Sequence, residues 1–405
     1  MSAPPSTLQK GIILGCSMLT VMSGATIAPS LPAMQEVFSK VPMANIMVPL
    51  VLTAPALVIA FTGFFMGYLV DSVGRIPVLA AGLVLFAIAG SSGLWLSSLH
   101  SLLVGRMFLG LAVGAVMTAS TTLVTDYFDG GTRQSFMGIQ SAFMAGGGVF
   151  FLVGGGLLAD LHWRAPFAVY LAALLLAPGV FLKLRETRDE AAHRAASATG
   201  DRVPIPWVTM SVIFGVGGLG MMLFYLIPVK LPYYIKELGG TSTAIAGYAL
   251  ATSTFVGALA ALQYRRLRQA LSREAICAIV FGLMACAYTL LARIDSVAWV
   301  FPAMILNGVG IGLLMPNMSI WLAERSPDHA RGKLVGALSS CMFLGQFLSP
   351  LAVQPVLKLN GLGGALGVYG AAGLVSFAIC GAFFAYVALK GRRDQTGRSS
   401  PRSTP

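Results

Sequence analysis

The chain has 405 residues, of which 56% are hydrophobic and only 10% are charged, and its formal net charge is +12. Soluble chains are usually about 45–50% apolar and about 25% charged, so these values exclude an ordinary soluble fold. The mean hydropathy of +0.80 predicts a protein whose main solvent is lipid. Basic residues then belong to loops beside the membrane, and we expect no nucleic-acid partner.

Twelve segments are apolar and long enough to cross a bilayer, which takes about 20 residues of helix. In chain order the predicted spans are 11–33, 44–70, 77–96, 102–125, 136–160, 165–182, 207–229, 245–263, 275–292, 299–323, 334–357 and 364–389. The sequence therefore predicts an all-α membrane protein with two six-helix bundles. Its predicted parts are an N-terminal bundle (1–182), a cytoplasmic linker (183–206), a C-terminal bundle (207–389) and a disordered cytoplasmic tail (390–405).

The distribution of basic residues predicts the orientation. If both termini lie on one side, most of the 27 Lys and Arg residues fall in the loops of that side. The other side receives only Lys40, Arg164, Lys230, Lys236, Arg293 and Lys358. Because basic residues accumulate in cytoplasmic loops, we expect cytoplasmic N- and C-termini.

A weak internal repeat relates the two bundles at an offset of 198 residues. It pairs Gly110 with Gly308, Gly114 with Gly312, Met117 with Met315, Arg133 with Arg331, Gly147 with Gly345 and the acidic Asp126 with Glu324. The offset superposes the fourth span on the tenth and the fifth on the eleventh. Repeated halves in parallel orientation are typical of transporters.

The segment Gly67-Tyr68-Leu69-Val70-Asp71-Ser72-Val73-Gly74-Arg75 follows the second span. It resembles the signature loop of the major facilitator superfamily, Gly-x-Leu-x-Asp-x-x-Gly-Arg. The resemblance implies a conformational latch at the cytoplasmic face, made of Gly67, Asp71, Gly74, Arg75 and Asp126. We expect Gly67 to let two helices approach closely and Gly74 to adopt a positive φ. In the second half the loop is reduced to the acid-free segment Tyr264-Arg265-Arg266-Leu267-Arg268.

Two further segments extend the resemblance. Arg106, followed by Gly110 and Gly114, is similar to the family's fourth-helix motif, whose arginine is associated with proton transfer; the alternative is an arginine that extends to the membrane surface. The segment 144–156, with Gly147, Gly148 and Gly155, resembles the glycine-rich fifth-helix motif of exporters, although it lacks that motif's proline. Plain close packing of helices by small residues is the alternative for these glycines.

The resemblance to twelve-helix drug:proton antiporters implies a monomeric bacterial inner-membrane protein that exports small organic molecules and is driven by a proton gradient. It implies no other cofactor and no metal site. Uptake or facilitated diffusion of a metabolite on the same fold stays open, because the fifth-helix proline is missing. A membrane enzyme would need a reactive group of residues at the interface, and the sequence contains none, so we expect no enzymatic activity.

No acidic residue lies in the middle of a predicted span. The candidates for proton coupling are therefore Glu36, Asp71 and Asp126, with Arg106 as modulator. Since a desolvated cation needs an acidic partner, we expect neutral, zwitterionic or anionic substrates. The candidate residues for the substrate cavity are Thr118, Phe143, Tyr225, Tyr248, Asn307, Asn317 and Gln346.

Overall fold

The computed structural model describes residues 5–186, 204–358 and 365–398. Within these ranges the chain is nearly all helical and contains twelve helices that are long and apolar enough to cross a membrane. The fold class predicted from the sequence, an all-α protein of twelve membrane spans, is therefore confirmed.

The helices of the first half are α1 (Thr7–Ala25), α2 (Ala44–Val73), α3 (Arg75–Gly90), α4 (Leu99–Tyr127), α5 (Gly130–Leu161) and α6 (Ala173–Lys183). Those of the second half are α7 (Trp207–Glu237), α8 (Ala244–Ala270), α9 (Arg273–Leu291), α10 (Val300–Arg325), α11 (Arg331–Ala352) and α12 (Ala365–Arg398). Shorter helical pieces lie at Ala28–Ser30, Leu31–Val37, Ser91–Leu94, Ala165–Ala172, Val297–Trp299, Asp328–Ala330 and Gln354–Lys358.

Several helices extend beyond the hydrocarbon lengths that hydropathy predicts. The last helix, α12, continues past residue 390, where the predicted tail begins, and ends at Arg398. Lys, Arg and Gln are good helix formers, and basic side chains interact favourably with the C-terminal end of a helix. The final residues 399–405 and most of the predicted linker, 187–203, lie outside the described residues.

Helix packing follows the internal repeat. In the first half α1 packs on α5 and α2 packs on α4; in the second half α7 packs on α11 and α8 packs on α10. The halves meet where α5 contacts α8 and where α2 contacts α11. Because successive spans run antiparallel, α1, α3, α5 and the corresponding helices of the second half begin on one side. We name that side the terminal face and the other side the opposite face.

Contacts between helices recur at the repeat offset. Gly110 of α4 lies so close to α2 that a Cβ atom there would be 2.5 Å from the carbonyl oxygen of Pro55. In the second half, a Cβ atom at Gly308 of α10 would be 2.5 Å from the carbonyl oxygen of Ser253 on α8. Pro55 and Ser253 are themselves related by the offset. The repeated glycines therefore mark the same close crossing of helices in both halves.

Other packing glycines predicted from the sequence differ in how tightly they are enclosed. A Cβ atom at Gly155 would overlap the carbonyl of Thr26, the residue directly after α1, so α5 contacts the backbone at the end of α1. Gly147 faces the flexible side chain of Met18, and a Cβ atom at Gly148 would lie 3.2 and 3.3 Å from the side chains of Thr254 and Val21. At Gly114 the nearest atom would be 3.4 Å away, an ordinary contact that does not require glycine.

Candidate functional site

A buried ion pair joins α3 to α4 on the terminal face. The Nε atom of Arg75 lies 3.0 Å from Oδ2 of Asp126, and these side chains are only 8% and 13% exposed. Asp71 lies one turn before Arg75, with its Oδ1 4.0 Å from Nη2 of the arginine, and is 42% exposed. The structure thus brings together the three charged residues that the sequence predicts for the latch.

Gly74 is the single residue that separates α2 from α3. Its φ angle is +116°, a backbone conformation that side chains disfavour, as the sequence predicts. The carboxylate of Glu186 lies against it and accepts hydrogen bonds from the backbone N–H groups of Arg75 (2.7 Å) and Ile76 (3.0 Å). Glu186 therefore caps the positive N-terminal end of α3. Sequence reasoning missed this residue, because its partners are more than 100 residues away.

Gly67 does not have the role that its place in the motif predicts. Among the described residues, no heavy atom outside its own helix lies within 4 Å of a Cβ atom built at this position. The neighbouring Tyr68 is 74% exposed. This part of α2 is not covered by another helix, so the expectation of a close helix approach at Gly67 is wrong for this conformation.

The second half contains an ion pair equivalent to that of Arg75 and Asp126. Arg273, which starts α9, pairs with Glu324 near the end of α10, and Arg268 lies 4.0 Å from the same carboxylate. Both partners of the Arg273–Glu324 pair follow their first-half counterparts by the repeat offset. The second loop does lack the counterpart of Asp71, since residue 269 is a glutamine, and only the counterpart of the Arg75–Asp126 pair is present.

Arg106 is completely buried, which rules out the alternative of a side chain that extends to the membrane surface. Its Nε donates to the carbonyl of Val51 on α2 at 3.1 Å, and its Nη2 donates to the carbonyl of Ser23 and to the hydroxyl of Tyr170. The guanidinium also lies 5.1 Å from the centroid of the Tyr170 ring. Arg106 thus ties three parts of the first half together from within the membrane.

Polar contacts at three places join the two halves on the opposite face. Glu36 forms an ion pair with Lys236, and the hydroxyl of Tyr233 donates to the carbonyl of Leu31 at 3.3 Å. Asp160, near the end of α5, accepts hydrogen bonds from the backbone N–H and the hydroxyl of Thr243 at 2.5 and 2.7 Å. We name these contacts the opposite-face seal.

The seal also contains a direct contact between helix backbones. A Cβ atom at Gly247 of α8 would lie 2.5 Å from the carbonyl oxygen of Leu152 and 3.1 Å from the Cα atom of Gly156 on α5. A Cβ atom at Gly156 would lie 3.0 Å from the Cα atom of Ala244. The two halves therefore touch without intervening side chains near this face.

Burial along α5 and α8 shows towards which side the structure opens. Near the opposite face, Leu152 and Leu250 are 6% and 5% exposed. About three helical turns along the same helix faces, near the terminal face, Ser141 on α5 and Ala261 on α8 are exposed. The helices that touch at the opposite face therefore separate towards the terminal face.

A cavity of about 180 Å³ lies between the halves, where α1, α5, α7 and α8 meet. It is lined by Val21, Gly24, Gly148, Leu152, Phe224, Tyr225, Ile227, Pro228, Leu250, Ser253 and Thr254. Among the described lining residues none is charged. The cavity is thus an apolar pocket with three hydroxyl groups, which is the usual composition of a small-molecule site.

The predicted cavity residues divide into three groups. Tyr225 lines the cavity, and Asn307 contacts its wall by donating from Nδ2 to the Ser253 hydroxyl at 3.1 Å. The prediction for Asn317 is wrong, because its amide bonds to the Tyr264 hydroxyl and to the Arg273 carbonyl in the packed second half. The remaining four, which do not line this cavity, are Thr118, Phe143, Tyr248 and Gln346.

The proton-coupling candidates lie apart from the cavity. Asp71 and Asp126 belong to the terminal-face cluster, Glu36 belongs to the opposite-face seal, and Arg106 is enclosed within the first half. Within the described ranges, His, Cys, Asp and Glu residues form no group of three that could hold a metal ion.

Three curated proteins are similar to this chain over most of its length. A tetracycline resistance protein, class G, of Vibrio anguillarum is 29% identical and covers 71% of this chain and 74% of its own. A puromycin resistance protein of Streptomyces alboniger is 25% identical and covers 85% of this chain and 80% of its own. A minor myo-inositol transporter of Bacillus subtilis is 22% identical and covers 77% of this chain and 76% of its own.

A solved structure supports the fold. The crystal structure of a nucleoside transporter superposes with a TM-score of 0.76 at 12% identity and covers 93% of this chain and 99% of its own. The sequence pattern of the Major Facilitator Superfamily matches residues 13–350 and 214–402, which together include nearly the whole chain. This membrane transporter belongs to the Major Facilitator Superfamily.

Proposed function

We propose that this transporter exports small organic molecules in exchange for protons. The observation that carries the proposal is the cavity between the halves, which the seal closes at the opposite face while α5 and α8 separate towards the terminal face. A site that opens to one side at a time is what alternating access requires. The similarity to two drug resistance proteins supports export as the direction.

The proposed cycle moves the two halves, residues 1–182 and 207–389, as units about the cavity. The protein acts as a monomer in a bacterial inner membrane, with both termini in the cytoplasm, so the terminal face is cytoplasmic. Substrate then enters the cavity from the cytoplasm, the seal opens, and the terminal face closes. Asp71, Arg75 and Asp126 hold the α3 and α4 ends in place during closure, and the uncovered surface at Gly67 receives the second half.

Proton coupling is proposed to act on the seal and on the terminal-face cluster. Protonation of Glu36 removes its attraction to Lys236 and so favours opening to the outside, where protons are abundant. On the cytoplasmic side, protonation of Asp71 or Asp126 weakens the attraction of that residue to Arg75 in the same way. Arg106 acts as a modulator that keeps α1 and α2 in register as the halves move.

Uptake or facilitated diffusion of a metabolite is the second candidate. The missing proline in the glycine-rich segment 144–156 favours it, as does the similarity to a myo-inositol transporter. The alternative of a membrane enzyme is set aside, because the family and the relatives are transporters.

The test uses purified protein in proteoliposomes with an imposed pH gradient and a panel of candidate compounds. Wild type is compared with Asp126→Asn, which removes the charge buried beside Arg75, and with Asp129→Asn, whose side chain is fully exposed. We expect proton movement opposite to substrate movement in wild type and in Asp129→Asn, and a strong reduction in Asp126→Asn. Substrate movement that ignores the gradient would favour a facilitator and reject export by proton exchange.

A further inference from the structure

We propose that the cavity binds an uncharged, largely apolar molecule of one or two rings that carries a hydrogen-bond acceptor. This inference rests on the proposed function, because it takes the cavity between the halves as the transport site. It narrows the substrate class beyond the neutral, zwitterionic and anionic molecules that the sequence leaves open.

The first argument is charge. Among the described residues that line the cavity none is ionisable at neutral pH, so a bound ion would lose its hydration without gaining a charged partner. The nearest cation along α7 is Lys230, and its Nζ lies 5.8 Å from the centroid of the Tyr233 ring, outside the lining. A neutral molecule avoids this desolvation cost.

The second argument is the state of the hydroxyl groups. Within the described part of the chain the hydroxyl of Tyr225 has no hydrogen-bond partner, and Gly24 leaves space beside it: a Cβ atom there would be 3.4 Å from the hydroxyl oxygen. The Ser253 oxygen accepts from Asn307, which leaves the serine proton for another acceptor. Thr254 instead donates to the Leu250 carbonyl. Tyr225 and Ser253 therefore offer two donors to a ligand.

The third argument is size. The volume of about 180 Å³ is close to that of a cavity of about 150 Å³ that holds a benzene-sized molecule. Val21, Leu152, Phe224 and Leu250 form apolar walls around it. A ring packs against these walls, and an acceptor on the ring meets the two hydroxyl donors.

A neutral substrate has a consequence for the energetics of transport. Exchange of one uncharged molecule for one proton moves one net positive charge across the membrane in each cycle. Transport is then driven by the membrane potential as well as by the pH difference, at about 2.3 kcal/mol per 100 mV for each charge.

The test of the ligand class is calorimetric binding to the purified full chain with three matched probes: benzamide, benzoate and benzylammonium. They share one ring and differ in charge. We expect benzamide to bind at least about 10-fold more tightly than either ion, because only the ions lose hydration without compensation. Equal or tighter binding of benzoate or benzylammonium, or no benzamide binding at millimolar concentration, would overturn the proposal.

Variants test whether the binding occurs in this cavity. Tyr225→Phe keeps the ring and removes the donor, so benzamide should bind about 3- to 10-fold more weakly; Tyr386→Phe, on the exposed side of α12, is the control. Gly24→Ala should also weaken binding, whereas Gly215→Ala, with open space around it in α7, should not. Unchanged melting temperatures of the ligand-free variants exclude misfolding as the cause. Unaltered benzamide affinity in both Tyr225→Phe and Gly24→Ala would place the ligand elsewhere.

Transport in proteoliposomes tests the proposed ligand class and the proposed proton exchange independently of each other. A potassium diffusion potential, negative on the side to which protons move, should drive benzamide movement without a pH difference. If benzamide binds selectively but moves only down its own gradient, the ligand class stands and proton exchange fails. If benzoate or benzylammonium moves with proton coupling and benzamide does not, proton exchange stands and the ligand class fails.

Discussion

At the scale of single residues, Arg106 connects several helices of the first half by hydrogen bonds. Arg106 lies inside the membrane, yet its partners are backbone carbonyls and an aromatic hydroxyl. A guanidinium can donate to several acceptors in fixed directions, whereas an ammonium is a compact charge. The residue is therefore suited to fix the relative positions of α1, α2 and Tyr170.

Arg106→Lys should lower the stability of the protein although it keeps the charge. Losing one or two hydrogen bonds from a charged donor costs about 2–3 kcal/mol. The melting temperature in detergent, followed by tryptophan fluorescence, should fall by several degrees, while Arg331→Lys on the exposed surface should leave it nearly unchanged. Equal melting temperatures for the two variants would contradict a structural role of the guanidinium.

Glu186→Gln should weaken the start of α3. A carboxylate at a helix N-terminus contributes about 0.3–1 kcal/mol through the helix dipole. The neutral amide loses this term and accepts only one of the two hydrogen bonds, because its NH2 group is a donor. The expected result is a small decrease in melting temperature that shrinks in high salt. Glu237→Gln, at the C-terminal end of α7, serves as control because an acid there is unfavourable. A decrease of the same size in that control would argue against capping.

At the scale of residues, the sequence predicted the charged terminal-face cluster but not all of its partners. Arg75 and Asp71 stand in one motif, and Asp126 ends a span, so their approach could be expected. Glu186 and the Arg273–Glu324 pair could not be found by motif, because their partners come from distant helix ends. Only the repeat offset pointed to Glu324.

Helix pairs are positioned by how closely their backbones approach. α5 contacts the end of α1 at Gly155, where the Thr26 carbonyl occupies the place of a side chain, whereas the adjacent Gly154 faces open space. Helix packing therefore requires a glycine at position 155 but not at position 154.

Gly155→Ala should destabilise the first half, whereas Gly154→Ala should be neutral or slightly stabilising. Extra atoms in a packed contact cost about 1–3 kcal/mol, and alanine favours a helix over glycine by about 1 kcal/mol where space is open. Thermal unfolding of the two variants measures the difference directly. Indistinguishable curves would mean that α1 and α5 can separate at no cost.

The two equivalent ion pairs should contribute unequally to stability. Asp126 is 13% exposed and Glu324 is 38% exposed. Breaking a buried pair leaves an uncompensated charge and costs about 3–5 kcal/mol, while an exposed pair contributes at most about 1 kcal/mol. Asp126→Asn should therefore lower the melting temperature much more than Glu324→Gln, and the reverse order would reject this assignment.

The sequence predicted the existence of all twelve spans but not their ends. Hydropathy decreases where the chain leaves the hydrocarbon, whereas helical hydrogen bonding continues as long as the residues favour it. The C-terminal part of α12, up to Arg398, illustrates this difference.

The whole molecule is closed on one face by contacts that only the assembled halves create. Asp160 near the end of α5 provides the acceptor for the start of α8. Neither residue belongs to a motif, and polar residues at loop positions are common. The seal could therefore not be predicted from the sequence, although the cavity next to it follows from the family fold.

Asp160→Asn should increase the time that the opposite face is open. The neutral amide accepts more weakly than a carboxylate, and hydrogen bonds to charged groups contribute about 1.5–3 kcal/mol, so opening should rise by about 10-fold. Ala33→Cys beside the seal, in a background without the native cysteines, reports opening by its labelling rate with a membrane-impermeant maleimide. Asp295→Asn, an exposed loop acid, should not alter that rate. Labelling that is equally slow in Asp160→Asn would remove Asp160 from the seal.

The backbone contact between Gly156 and Gly247 has a consequence for the efficiency of the proposed exchange. A chain of water molecules through the closed face would let protons leak across the membrane without moving substrate, and the gradient would be wasted. Two helices in direct backbone contact leave no room for such a chain between them. A bulkier residue at Gly247 would force them apart, and the protein would become a passive proton leak.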